Sequence, residues 1–84
     1  MATATPAQTP NPDALKFTLD VRLPGMINLS PDDAATTPFE REVLGAPGVA
    51  NLFGVNDFVT VTRVPGADWD PIITAVRHAA EEHL

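Results

Sequence analysis

Leu15-Lys16-Phe17-Thr18-Leu19-Asp20-Val21-Arg22-Leu23 decides the fold of this chain. Apolar and polar residues alternate through the whole stretch, and a period of two is that of a strand with one buried and one wet face. Leu15, Phe17, Leu19, Val21 and Leu23 turn to a core, while Lys16, Thr18, Asp20 and Arg22 turn away from it. A sheet with one dry face needs a second layer on that face, so helices are expected elsewhere in the chain.

On the C-terminal side, Leu23-Pro24-Gly25-Met26 reads as a turn, because proline presets φ and glycine accepts positive φ. A short second strand is expected around Met26–Leu29. Its partner is left open, since a Pro-Gly loop suits a type II turn better than the twist of a tight hairpin. Ser30-Pro31-Asp32-Asp33 carries helix-start chemistry, with Ser30 as a cap. Thr37-Pro38-Phe39-Glu40 repeats it with Thr37 and Glu40 at capping-box spacing, so the first signal is expected to open no more than a single turn. Gly45 and Pro47-Gly48 stop that helix.

Val49–Val55 and Phe58–Val64 are β-rich runs around Asn56-Asp57, the signature of a hairpin. Val59 and Val61 then face inward, and Thr60 and Thr62 outward. Trp69, Ile72, Ile73, Val76 and Ala80 recur at helical spacing behind Asp68 and Asp70, either of which can cap a last helix. On the N-terminal side, the small residues of 1–8 are expected to form a flexible arm ahead of a domain that begins at Thr9. The predicted order is β-β-α-β-β-α: a single α+β domain with about four strands and both helices on one face.

The chain has 84 residues, no cysteine, and a formal charge of −6 from 11 acidic and 5 basic side chains. Disulfides and thiolate clusters are excluded, so the apolar residues alone must stabilise the fold. The acidic balance without a Lys/Arg cluster argues against nucleic acid and against an anionic membrane surface. Neither a transmembrane run nor a leader pattern is visible, and a cytoplasmic protein is the expectation.

The side chains name no reaction. Ser30 is the only serine and sits where a cap is needed; the carboxylates are scattered, and neighbours on a helix do not face each other. The five glycines fall singly along the chain, so no phosphate-cradling glycine loop is present. His78 and Glu82 have ligand spacing on the last helix, yet a metal needs more ligands than this pair supplies. No enzyme activity, metal or cofactor is expected. Trp69 is read as a core anchor under the last helix.

Two motifs carry a resemblance. Thr9-Pro10-Asn11-Pro12 followed by Lys16-Phe17, and Asp57-Phe58-Val59-Thr60-Val61-Thr62-Arg63 with Trp69 behind, make residues 9–84 resemble the N-terminal domain of Nfu/NifU-type scaffold proteins. In that family the domain commonly precedes one whose Cys-x-x-Cys pair holds an iron–sulfur cluster. This sequence lacks those thiolates, so it is either a stand-alone copy of the N-terminal domain or a piece of a longer protein, and the starting Met1 and the tail favour the stand-alone copy as the expectation. The resemblance implies an accessory role in cluster assembly or delivery, with a protein partner drawn from the assembly components or their clients. Asn11, Lys16, Thr60, Thr62 and Arg63 are the candidate contact residues. Arg63 has inward parity and works outward only at a frayed strand end. The alternative is a small-ligand or anion-binding domain that uses the polar sheet face with Lys16, Arg22 and Arg63.

Overall fold

A computed structural model describes residues 2–84. The alternating stretch forms strand β2 (Ala14–Leu19), with Phe17 and Leu19 buried and Lys16 and Thr18 exposed. Beyond Leu19 the backbone leaves the ladder, but the parity persists: Val21 is half-buried and Leu23 buried. Strand β4 (Val49–Val55) and strand β5 (Phe58–Arg63) form the expected hairpin, with Asn56 at a φ of 55° in the turn. Asparagine is among the few non-glycine residues that adopt this left-handed conformation readily.

Among the described residues five strands form the sheet, not four. The stretch read as an arm contains strand β1 (Ala4–Gln8), antiparallel to β2 with Ala4 opposite Leu19 and Gln8 opposite Leu15. Proline at position 6 has no N–H to give, a loss that an edge strand tolerates. Hydropathy misses β1 because its core contacts are made by alanines. Ala2 and Ala4 are buried with Ala79 and Ala80, where small side chains allow close approach. The Ala2 N–H donates to the Ala80 carbonyl at 3.2 Å, and the Thr3 N–H to Asp20 Oδ1 at 2.8 Å.

Strand β3 (Ile27–Leu29) pairs with β4 and not with β2, so the Pro-Gly turn closes no hairpin. The sheet order is β1-β2-β5-β4-β3, with every pair antiparallel. Gly54 makes the β3 side possible: a Cβ there would stand 2.9 Å from Leu23 Cδ1 and 3.0 Å from Val59 Cγ1. Ser30-Pro31-Asp32-Asp33 forms a turn and no helix. Ser30 donates its N–H and hydroxyl to Asp33 Oδ2, so the expected cap acts here as donor.

Helix α1 (Pro38–Leu44) carries the full capping box, Thr37 Oγ1 accepting from the Glu40 N–H and Glu40 Oε1 from the Thr37 N–H. Buried Glu40 also accepts from the Thr36 N–H and hydroxyl, which satisfies the carboxylate as burial demands. Helix α2 (Trp69–His83) is capped by Asp68 and buries Ile72, Val76, Ala79 and Ala80. Both helices cover one sheet face, α1 on β4 and α2 on β1, and pack on each other. Between the layers Phe17, Phe39, Leu52, Val59, Val61, Ile72 and Val76 are fully buried. Burial of each such side chain contributes about 1.5–3 kcal/mol, which is how a cysteine-free domain of this size holds together.

Candidate functional site

The five candidate contact residues fall into two places. Lys16, Thr60 and Thr62 lie on the sheet face that no helix covers, Lys16 directly opposite Thr60 across the β2–β5 ladder. Asn11 and Arg63 lie where the β1–β2 loop meets the start of α2.

Parity fixes the uncovered face. Thr5 and Ala7 come from β1, Lys16 and Thr18 from β2, Phe58, Thr60 and Thr62 from β5, and Phe53 and Val55 from β4. Phe53 stands opposite Thr60, and Val55 opposite Phe58. These side chains are half-buried, and Lys16 Nζ sits 4.4 Å from the centroid of the Phe58 ring, within cation–π range. The face is therefore an apolar centre rimmed by threonines and one cation, where the sequence suggested a polar plate. The alternation of β5 already turns Phe58 outward with Thr60 and Thr62, but Val49–Val55 reads as simply apolar, and outward parity for Phe53 and Val55 follows only once Leu52 and Gly54 are placed inside.

Thr9-Pro10-Asn11-Pro12 is a tightly bonded loop. Thr9 Oγ1 lies 2.9 Å from the Asn11 carbonyl and 3.0 Å from that of Ala14, and accepts from the Asn11 N–H. Asn11 Oδ1 accepts from the Asp13 N–H at 3.0 Å. Arg63 turns inward as its parity requires: Nε donates to Asp13 Oδ1 at 3.1 Å and Nη1 to the Ala67 carbonyl at 2.9 Å. Its guanidinium lies 5.1 Å from the centroid of the Trp69 ring. Trp69 is half-buried and forms a wall here, not a fully buried anchor. Loop, arginine and indole together border a cleft of about 550 Å³.

The basic residues do not converge. Arg22 donates to Asn56 Oδ1 at 3.4 Å beside the β4–β5 turn, Lys16 covers Phe58, and Arg63 belongs to the cleft. On the helical side, the Glu42 carboxylate of α1 meets two histidines of α2, contacting His78 Nδ1 and lying 3.1 Å from His83 Nε2. Hydrogen bonding from His78 holds the Glu42 carboxyl below its ordinary value, and the same bond raises His78. Glu82 Oε1 is 3.8 Å from His78 Nε2, and no group of three or more His, Cys, Asp or Glu among the described residues is arranged to hold a metal ion. No described helix is long and apolar enough to cross a membrane.

This geometry has known relatives. A crystal structure of protein SAV1430 from Staphylococcus aureus superposes with a TM-score of 0.79 at 25% identity, covering 92% of this chain and 96% of that one. A NifU-like protein of Schizosaccharomyces pombe is 30% identical over 87 residues, spanning 92% of this chain and 32% of its own length. The mitochondrial NFU1 iron–sulfur cluster scaffold homolog of Drosophila erecta is 37% identical over 68 residues, spanning 76% and 24%. The chain thus covers a third or less of these two longer relatives. The family described as scaffold protein Nfu/NifU N terminal matches residues 5–84, so its boundary takes in β1, where the sequence suggested a domain beginning at Thr9. With fold, motifs and match in agreement over nearly its whole length, the chain belongs to the Nfu/NifU N-terminal domain family.

Proposed function

We propose that this chain is a non-catalytic interaction domain in iron–sulfur cluster assembly or delivery, and that it meets a protein partner through the uncovered sheet face. The observation that carries this reading is the apolar centre of that face. Phe53, Phe58 and Val55 stand half-exposed on a rigid sheet, with Lys16 over one ring and no carboxylate among the ladder positions around them. Aromatic side chains held on a scaffold bury much area at low entropic cost, and Lys16, Thr60 and Thr62 add fixed hydrogen-bond geometry.

The family supports the assembly role, and relatives in it bear the names NifU-like and iron–sulfur cluster scaffold. With no cysteine, this chain offers no thiolate to a cluster, so its part is to bring proteins together while others hold the metal. Ser30 is tied to Asp33, and neither histidine reaches it, which supports a role without catalysis. The reading takes the cytoplasm as its setting. No second reading on the sheet face is favoured, because Lys16, Arg22 and Arg63 lie apart.

The test is affinity capture from the protein's own cell extract with identification of the captured proteins. Wild type is expected to retain a cluster-assembly component or an iron–sulfur client. Lys16→Glu with Thr60→Ala should keep the wild-type melt and lose that band. Retention of every partner by the double variant would remove the sheet face from consideration.

A further inference from the structure

The two motifs that carry the family resemblance meet at a place the sheet-face reading does not use. Asn11, from Thr9-Pro10-Asn11-Pro12, and Arg63, which ends the β5 motif, line the same cleft of about 550 Å³, with Trp69 and Ile73 of α2 as its apolar wall. That volume falls in the range of roughly 300–1,000 Å³ typical of small-molecule sites.

The charge in the cleft is unusual for this molecule. The chain carries 11 acidic residues, yet no carboxylate is among the residues that line the cleft, and Arg63 is the one ionised side chain there. Asp13, the partner of Arg63, engages Nε and is not part of the lining. A guanidinium has five N–H donors. Asp13 takes one and the Ala67 carbonyl a second, and among the described residues the others have no protein acceptor. Since no fully buried side-chain polar atom of these residues lacks a partner, Nη2 meets solvent. Asn11 adds to this: its Oδ1 is committed to the Asp13 N–H, which leaves the amide nitrogen and both its hydrogens unused.

Donors without acceptors beside an indole, an isoleucine and prolines suit a ligand with an apolar body that ends in an anion. The geometry points to a binding site for an apolar monocarboxylate, with the carboxylate on Arg63 and Asn11 and the apolar body against Trp69 and Ile73. A guanidinium matches the planar, two-oxygen carboxylate edge to edge, whereas an amide offers it a single acceptor. Such a carboxylate is either the C-terminus of a peptide or a free hydrophobic acid. The proposed contacts do not use Lys16 or Thr60, and Arg63 has the opposite parity from both.

Chemical-shift titration of the whole 84-residue chain distinguishes these sources. The probes are N-acetyl-Leu-Phe as free acid and as C-terminal amide, and 3-phenylpropionate against 3-phenylpropionamide. At least one acid should shift the amides of residues 8–12 and the Trp69 indole N–H, and bind tenfold or more tighter than its own amide. A preference confined to the dipeptide acid identifies a chain end as ligand, and one confined to phenylpropionate a free acid. Gln8→Glu, at an exposed position of the rim, should weaken the acid at least threefold and leave the amide unchanged. Equal binding of acid and amide, shifts centred elsewhere, or no shift with any probe overturns the proposal.

Discussion

Arg63 Nε donates to Asp13 Oδ1 at 3.1 Å across fifty positions of sequence, fastening the end of β5 to the loop that joins β1 and β2. The backbone repeats the connection: the Arg63 N–H donates to the Asp13 carbonyl at 2.8 Å. Asp13→Ala removes only the side-chain half of this clamp, between partly exposed groups, and should destabilise the domain by about 1 kcal/mol. Arg63→Ala also loses the bond to Ala67 and the contact with Trp69, and should cost about 2–3 kcal/mol. Urea melts of both single variants and the double variant measure this. Equal losses for the two single variants would mean that Ala67 and Trp69 contribute nothing.

Adjacent residues on β2 test the face assignment. Phe17 is fully buried and Thr18 exposed. Phe17→Ala should cost about 3–5 kcal/mol, enough to unfold much of a marginally stable domain. Thr18→Ala should change stability by less than about 0.5 kcal/mol. Denaturant midpoints for the two variants give the comparison, and similar midpoints would contradict the parity of the strand.

The contact between Glu42 and His78 makes the packing of α1 on α2 depend on pH. His78 is raised above its ordinary value of 6.5, mainly by its hydrogen bond to Glu42, with Glu82 and Glu81 adding to the effect. Its contribution is complete below 6.5 and is lost as pH rises through the higher folded value. Glu42 is lowered below 4.5, so its contribution is complete above 4.5 and is lost as pH falls through the lower folded value. The pair therefore stabilises most between 4.5 and 6.5. Thermal melts at pH 5.5 and 8.5 should show Glu42→Gln clearly less stable than wild type at the lower pH and closer to it at the higher. A gap that is unchanged or wider at pH 8.5 would contradict this.

Much of the molecule was already determined along the chain. Alternation over residues 15–23 set the inward and outward faces of β2, and Thr37 and Glu40 set the start of α1 through a bond that closes within three residues. Asn56-Asp57 set the β4–β5 turn, and Asp68 the start of α2. Each of these depends on neighbours a few positions apart, where periodicity and local hydrogen bonding dominate the free energy.

Only the tertiary structure decided what depends on distant partners. β1 is a strand because β2 offers it a ladder and α2 offers alanines near enough to bury Ala4; nothing in Ala-Thr-Pro-Ala-Gln by itself outweighs the entropy of an open chain. β3 joined β4 because Gly54 leaves room for Leu23 and Ile27, a vacancy that the sequence between them does not disclose. The same holds for function. Lys16, Phe58 and Thr60 were legible as outward-facing residues, but that Phe53 and Phe58 stand beside Lys16 and Thr60 followed only from cross-strand register. Asn11 and Arg63 were legible as motif residues, yet a cleft with Trp69 exists only because Asp13 reaches fifty residues forward to hold the arginine in place. Local signals are carried by bonds within a turn or along a strand; a site is made by side chains whose spacing in sequence bears no relation to their spacing in space.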